Sequence, residues 1–123
     1  MLANEVLSEA FSRIRAVVHS AIEDASIEAL TYRADAEANT IAWLVWHLTR
    51  VQDGHIADLV GEDHVWTAGG WVDRFDLPFD PGATGYGQSA DDVADVRVDA
   101  EPLGSYYDAV HSRTIDYLTT LGR

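Results

Sequence analysis

The sequence of 123 residues contains no cysteine and no lysine. Without cysteine, it has no disulfide bond, no thiolate metal ligand and no cysteine nucleophile. It also lacks the glycine-rich phosphate loop with its lysine, the GxSxG motif of hydrolases and the HExxH motif of zinc proteases. Any chemistry that needs a thiol therefore has to obtain it from another molecule.

Positive charge and long apolar runs are also scarce. The 21 acidic residues outnumber the 8 arginines, and the formal net charge is −13. Because this surface repels phosphate groups, we expect neither a nucleic-acid partner nor a membrane partner. No run approaches about 18 apolar residues, and the N-terminus lacks the apolar core of a signal peptide. These features predict one cytoplasmic domain over residues 1–123.

The spacing of apolar residues predicts an all-α fold built from three long amphipathic helices. The first covers residues 4–24 and the second covers residues 39–60, with Asn39 as the N-cap and Gly61 as the left-handed C-terminal residue. Between them, residues 25–38 form a connector with a helical turn at residues 27–30. The apolar face of the first helix contains Leu7, Ala10, Phe11, Ile14, Val18, Ala21 and Ile22.

The second helix combines a wide apolar stripe with a histidine among tryptophans. The stripe contains Ile41, Leu44, Val45, Leu48, Val51, Ile56 and Leu59. His47 lies about 100° from the centre of the stripe, and Trp43 and Trp46 extend the apolar surface beside it. We therefore expect His47 to be largely buried and hydrogen-bonded between helices, since an unpaired imidazole there would cost about 1 to 3 kcal/mol.

The third helix is predicted to begin at Pro102 and to end near Leu121. Proline suits the first turn because its missing N–H has no partner there, and Gly122 fits a C-terminal cap. His111 lies one turn after Tyr107 and faces either the bundle interior or its rim. It is either a hydrogen-bonded core histidine or a metal ligand.

The long segment at residues 61–101 is rich in aromatic residues, glycine and proline. A short helix at residues 89–96, capped by Ser89, is its one regular element in the prediction. We expect the segment to fold back on the bundle with Trp66 or Trp71 more than half buried. In one interpretation it is a lid, with Trp43 and Trp46, over a pocket for a small substrate. In the other, its aromatic residues cover apolar ends of the bundle.

Four ordered blocks closely resemble the actinobacterial branch of the DinB-like superfamily, which includes mycothiol transferases. They are WLVWHLTRVQDGHIADL, VWTAGGWVDRFDLPFD, GYGQSADDVADVRV and YYDAVHSRTIDYL. The resemblance implies an up-down four-helix bundle with a divalent metal, zinc or nickel, held by one histidine of the second helix and two ligands of the last helix. His47 matches the first ligand. The family pattern continues beyond Arg123 into the fourth helix, so the resemblance implies that the chain is C-terminally incomplete.

The resemblance implies a metal-dependent S-transferase that uses mycothiol. The metal would lower the pKa of the thiol, which then attacks a small electrophilic substrate. Within the sequence, His111 is the best partner for His47, whereas His55 is about 12 Å farther along the helix and cannot bind the same ion. The alternative is a noncatalytic bundle that serves as a small-molecule-binding or dimerisation module with structural histidines.

Three long helices cannot close a four-helix core, so an apolar strip has to face something other than water. A second copy of the chain, the aromatic segment or a C-terminal segment absent from the sequence would cover it. Of these we expect a homodimer.

Overall fold

The computed structural model describes residues 2–121, in which all regular structure is helical. The helices are α1 (Ala3–Ile22), α2 (Ile27–Leu30), α3 (Ile41–Val60), α4 (Val65–Ala68), α5 (Trp71–Phe75), α6 (Ala90–Ala94) and α7 (Ala100–Thr120). The prediction of an all-α bundle with three long helices is confirmed. Helix α7 packs against both α1 and α3, which contact each other much less. None of the helices in residues 2–121 has the length and hydrophobicity needed to span a bilayer.

The observed ends of the long helices agree in part with the predicted ends. Gly61 ends α3 in the left-handed conformation with φ 71°, as predicted. The N-cap of α3 is Thr40 and not Asn39, because the Thr40 hydroxyl accepts a hydrogen bond from the Trp43 N–H at 2.9 Å. Helix α7 begins two residues before Pro102, which lies in its first turn. The predicted cap Gly122 lies outside the described residues.

The segment between α3 and α7 packs onto the bundle, as predicted. Trp66 is only 2% exposed and, with Phe75, joins the hydrophobic core formed by the long helices. Ser89 caps α6 in a capping box with Asp92, which confirms the predicted short helix. The prediction was wrong in leaving the rest irregular, since α4 and α5 also form. Helices of four and five residues are too short to show an apolar period.

The core face of α3 differs from the predicted stripe. Leu44, Val51 and Leu59 are 45%, 37% and 60% exposed, whereas Arg50 and Asp53 are buried. Three members of the predicted stripe thus lie outside the core, and two charged residues that the stripe did not include lie inside it. The two side chains lie 3.7 Å apart and satisfy each other's charge inside the core. The outer face of α3 is therefore apolar and open, as expected for a bundle with three long helices.

Helix α1 also has an exposed apolar face. Of its predicted apolar face, only Val18 and Ile22 are buried, against α7, while Leu7 and Ile14 are 43% and 41% exposed. The rest of this face is largely open, as expected for three long helices, because the helices of residues 2–121 cover only one side of α1. An apolar strip thus runs along α1 and α3.

A buried carboxylate joins α3, α4 and α7. Asp53 Oδ1 accepts the Val65 N–H at 2.8 Å, and Oδ2 accepts the Trp66 N–H at 2.8 Å and the Tyr106 hydroxyl at 2.6 Å. Burial and the nearby Asp53 charge raise the pKa of Tyr106, so its hydroxyl remains a donor at every ordinary pH. Asp53 therefore fixes the start of α4, and with it Trp66, over the bundle.

The guanidinium of Arg50 holds the remainder of the segment. Its Nε donates to the Ala83 carbonyl at 2.9 Å, and Nη1 donates to His64 Nδ1 at 3.0 Å. The same group lies 5.2 Å from the centre of the Trp66 ring. Because a guanidinium only donates, His64 Nδ1 accepts and the His64 proton is on Nε2.

Asp53→Asn is expected to destabilise the protein by about 3 to 5 kcal/mol, because it removes the charge that offsets buried Arg50. The new amide also presents N–H donors to groups that themselves donate. Urea unfolding followed by circular dichroism measures the loss. The matched control is Asp58→Asn, at an exposed position of the same helix. Equal stabilities of the two variants would contradict the role assigned to Asp53.

Candidate functional site

An open apolar groove lies between α1 and α3. Its volume is about 410 Å³, and it is lined by Phe11, His47, Leu48, Val51, Gln52, His55 and Ile56. Among the described residues, the lining contains no aspartate, glutamate or arginine. The polar groups that face the groove are two imidazoles and one amide. The groove can therefore hold an apolar molecule or an apolar helix beside an imidazole.

His47 stands at the edge of this groove in a fixed orientation. Its Nδ1 lies 2.6 Å from the Thr84 carbonyl oxygen, and its ring stacks on Trp43 at 4.7 Å between centroids. Because a carbonyl only accepts, the proton of the neutral ring is on Nδ1, and the Nε2 lone pair is available. The prediction of a hydrogen-bonded His47 is confirmed. Its partner, however, is a loop carbonyl and not another helix, and the ring is only partly buried.

A short stretch around Gly85 holds both rings of this stack. Trp43 Nε1 donates to Gln88 Oε1 at 2.8 Å. Gly85 has φ +98°, and a Cβ atom there would come within 2.6 Å of His47 Nδ1. A side chain at this position is thus excluded by both space and backbone conformation. Gly85 allows the backbone to approach close enough for the Thr84 carbonyl to reach His47.

His111 belongs to a different part of the molecule. It stacks on Tyr107 at 6.1 Å between centroids, and the charges that act on it belong to Arg15, Asp108 and His19 at the contact of α1 and α7. Burial, followed by the positive charge of Arg15, lowers the pKa of His111. In residues 2–121, no group of three or more His, Cys, Asp or Glu side chains can hold a metal ion. His111 therefore does not complete a metal site with His47.

The same contact contains an ion pair on the helix surface. His19 Nε2 lies 2.7 Å from Asp108 Oδ1, and Arg15 Nε donates to the same oxygen at 2.9 Å. Burial acts to raise the pKa of Asp108, but the hydrogen bonds from His19 and Arg15 outweigh it and hold the pKa below its usual value. These groups fix α1 on α7 and lie outside the groove.

Three of the tryptophans singled out from the sequence pack in or near the core. Trp46 and Trp66 are 1% and 2% exposed, and the cavity between them and Phe79 holds about 10 Å³, the space of one water molecule. Trp71 packs against Tyr106 under the Arg74 guanidinium. Only Trp43 contacts His47. The segment after α3 therefore covers core side chains, and the open space of the site lies in the groove.

Several residues that shape the site were missed in the sequence. Thr84, Gly85 and Gln88 orient His47 and Trp43, and Arg50 and Asp53 hold their segment in place. The sequence does contain an indication of the role of Arg50 and Asp53. These two residues of opposite charge lie three positions apart in α3, on the side of the helix where its other residues are mostly apolar. No local pattern indicates that Thr84 offers its carbonyl to His47.

The sequence profile of the DinB superfamily matches residues 10–123. The chain belongs to the DinB superfamily. A crystal structure of a conserved protein from Enterococcus faecalis is similar to this DinB protein, with a TM-score of 0.88 and 22% sequence identity. The match covers 97% of this chain and 71% of the other, and it confirms the helical fold. A comparison with curated proteins found no match.

Gly85→Ala in this DinB protein is expected to displace Thr84 from His47, since the new Cβ atom would overlap the imidazole. The expected cost is about 1 to 3 kcal/mol, which is the range for a residue held in an unfavourable backbone conformation. Urea unfolding measures this cost. ¹⁵N NMR of the imidazoles reports whether the proton of His47 stays on Nδ1. Gly82→Ala is the control, because nothing lies within 4 Å of its added Cβ. An unchanged His47 signal in Gly85→Ala would contradict the proposed contact.

His111 is expected to make stability depend on pH. Its pKa is lower in the folded protein than the ordinary value of about 6.5, so the unfolded chain binds the proton more readily. The contribution of His111 to the free energy of unfolding is therefore complete above about pH 6.5. It is lost as the pH falls from that value through the lower pKa of the folded protein. His111→Gln should therefore lose less stability between about pH 7 and pH 5 than the unaltered protein.

Unfolding in urea at a series of pH values measures this dependence. His55→Gln, at an exposed position, is the matched histidine control. Asp108 contributes in a separate window, below about pH 4, because its pKa is also lowered. Identical slopes for His111→Gln and the unaltered protein would overturn the assignment.

Proposed function

We propose that this protein provides the His47 part of the active site of a metal-dependent thiol S-transferase. The observation that supports this is the orientation of His47, whose Nδ1 donates to the Thr84 carbonyl while Nε2 stays available beside an apolar groove. Histidines that bind metals usually donate their other ring nitrogen to a carbonyl or carboxylate in this way. The tautomer needed for a ligand is therefore present without the metal.

The donor set of the described chain does not complete a metal site. His47 fits as one ligand, but no group of three candidate ligands occurs in residues 2–121. Catalytic zinc sites use three protein ligands, so the other ligands would have to lie outside the described residues. Zinc and nickel would both suit His47, because both accept imidazole as a ligand.

The groove suits the proposed substrates. A small electrophile with apolar groups would lie against Leu48 and Val51 with its reactive atom toward His47. The thiol would be mycothiol, as the resemblance implies, because the chain has no cysteine of its own. A thiol of this kind is kept reduced inside cells, so we propose a cytoplasmic location.

A second candidate is a noncatalytic small-molecule-binding module. It is favoured by the absence of a three-ligand cluster in the described chain together with an apolar groove of about 410 Å³. In this case His47 would donate or accept a hydrogen bond to the bound molecule, and no metal would be needed. The transferase would need a bound metal, whereas the binding module would not.

The test measures nickel and zinc binding by calorimetry and the conjugation of mycothiol to a chromogenic aryl halide with and without metal. We expect metal-dependent conjugation that falls by more than about tenfold in His47→Asn, since a bound ligand is lost. His19→Asn, at the contact of α1 with α7 and outside the groove lining, is the control and should keep both properties. Binding of the aryl halide without any metal-dependent conjugation would support the noncatalytic module instead.

A further inference from the structure

A second open pocket lies where α3 meets the segment that follows it. Its volume is about 380 Å³, and its lining includes Arg50, Glu62, Asp63, His64 and the turn at Pro81 and Gly82. Among the described residues, this lining has no member in common with the groove beside His47. Charged side chains also replace the apolar ones of the groove. This Arg50 pocket is therefore a separate candidate binding site.

The floor of the Arg50 pocket contains a buried cation with donors to spare. Arg50 is only 1% exposed, yet it lines the pocket. Its Nε donates to the Ala83 carbonyl, and its Nη1 donates to His64 Nδ1. Within residues 2–121, Nη2 has no hydrogen-bond acceptor. Two N–H groups of the guanidinium are thus available to an acceptor in the pocket.

The buried carboxylate of Asp53 does not use these donors. Its Oδ2 lies 3.7 Å from Arg50 Nη1, which is beyond hydrogen-bond distance. Both of its oxygens already accept hydrogen bonds from α4 and Tyr106. Asp53 therefore offsets the charge of the guanidinium and leaves Nη2 unoccupied. His64 adds a further donor to the same pocket, since its ring proton is on Nε2.

The rim of the Arg50 pocket carries the opposite charge. Glu62 and Asp63 are exposed and line the same pocket. Arg113 Nη2 lies 3.4 Å from Glu62 Oε2, and Arg113 Nη1 donates to the Asp63 backbone carbonyl at 2.6 Å. These contacts hold both residues beside the pocket, while the Asp63 carboxylate has no ion-pair partner among the described residues. The pocket thus combines a cationic floor with an anionic rim.

This distribution of charge disfavours ligands of a single sign. An anion would be repelled by Glu62 and Asp63 and by the net charge of −13 on the chain. A cation without an acceptor group would meet the Arg50 guanidinium and leave its Nη2 unpaired. A molecule with a carboxylate at one end and an ammonium group at the other satisfies both the floor and the rim.

We propose that the Arg50 pocket binds a small zwitterion of the free amino acid type. Its carboxylate accepts from Arg50 Nη2, and its ammonium group lies toward Glu62 and Asp63. Hydrogen bonds between charged groups are roughly twice as strong as those between neutral groups, so a small molecule can be held by few contacts. The site needs neither a metal nor a thiol, and it is therefore independent of the proposed transferase function.

The experiment titrates the protein with free alanine, propionate and ethylamine at neutral pH and follows binding by NMR. Propionate is alanine without its ammonium group, and ethylamine is alanine without its carboxylate. We expect alanine to bind at least about tenfold more tightly than either, because each of the others leaves one charged end of the pocket unpaired. The ¹⁵N signals of the Arg50 guanidinium should shift with alanine, whereas those of exposed Arg13 should not. Observing Arg50 directly avoids a variant that would leave Asp53 buried without its counter-charge.

The double variant Glu62→Gln with Asp63→Asn removes the charges of the rim and should abolish the preference for alanine over propionate. The matched control is Glu5→Gln with Asp58→Asn, because both residues are exposed and neither lines the pocket. The control should bind alanine as the unaltered protein does, and circular dichroism verifies that both variants are folded. The proposal is overturned by equal affinities for alanine and propionate, by equal alanine affinities of the two double variants, or by no saturable shift up to about 50 mM alanine.

Discussion

The buried carboxylate of Asp53 is the interaction on which the rest of this structure depends. It accepts the N–H groups of Val65 and Trp66 and the hydroxyl of Tyr106, so one side chain of α3 holds both α4 and α7. A carboxylate without these donors would be costly in the core, as would Arg50 without the carboxylate. The polar centre of the bundle is therefore stable only when the segment between α3 and α7 is folded against it.

This constraint connects the core to the groove. Arg50, which is buried beside Asp53, also donates to the Ala83 carbonyl, and Ala83 directly precedes the Thr84 carbonyl that orients His47. Gly85 follows and leaves room for the imidazole. The position of the His47 ring is thus set by a chain of hydrogen bonds that begins in the core. A side chain held in one orientation in this way loses little conformational entropy when it makes a further contact.

Much of the fold could be predicted from local patterns, whereas little of the site could. Apolar spacing located the three long helices, and Gly61 and Ser89 marked two of the helix ends correctly, because these effects act within a few residues. The burial of Arg50 and Asp53 was not predictable from hydrophobicity, since it depends on partners from α4, α7 and the intervening segment. For the same reason the predicted apolar stripe includes Leu44 and Val51, although both residues are exposed.

The sequence by itself determined the helical class of the protein, its membership of the DinB superfamily over residues 10–123, and His47 as the residue of interest. These properties are carried by composition, periodicity and motif, which do not require the chain to be folded. Only the tertiary structure decided that His47 binds the Thr84 carbonyl and that His111 lies at the contact of α1 with α7. The physical reason is that hydrogen bonds join residues far apart in the chain, and their geometry exists only once the helices have packed.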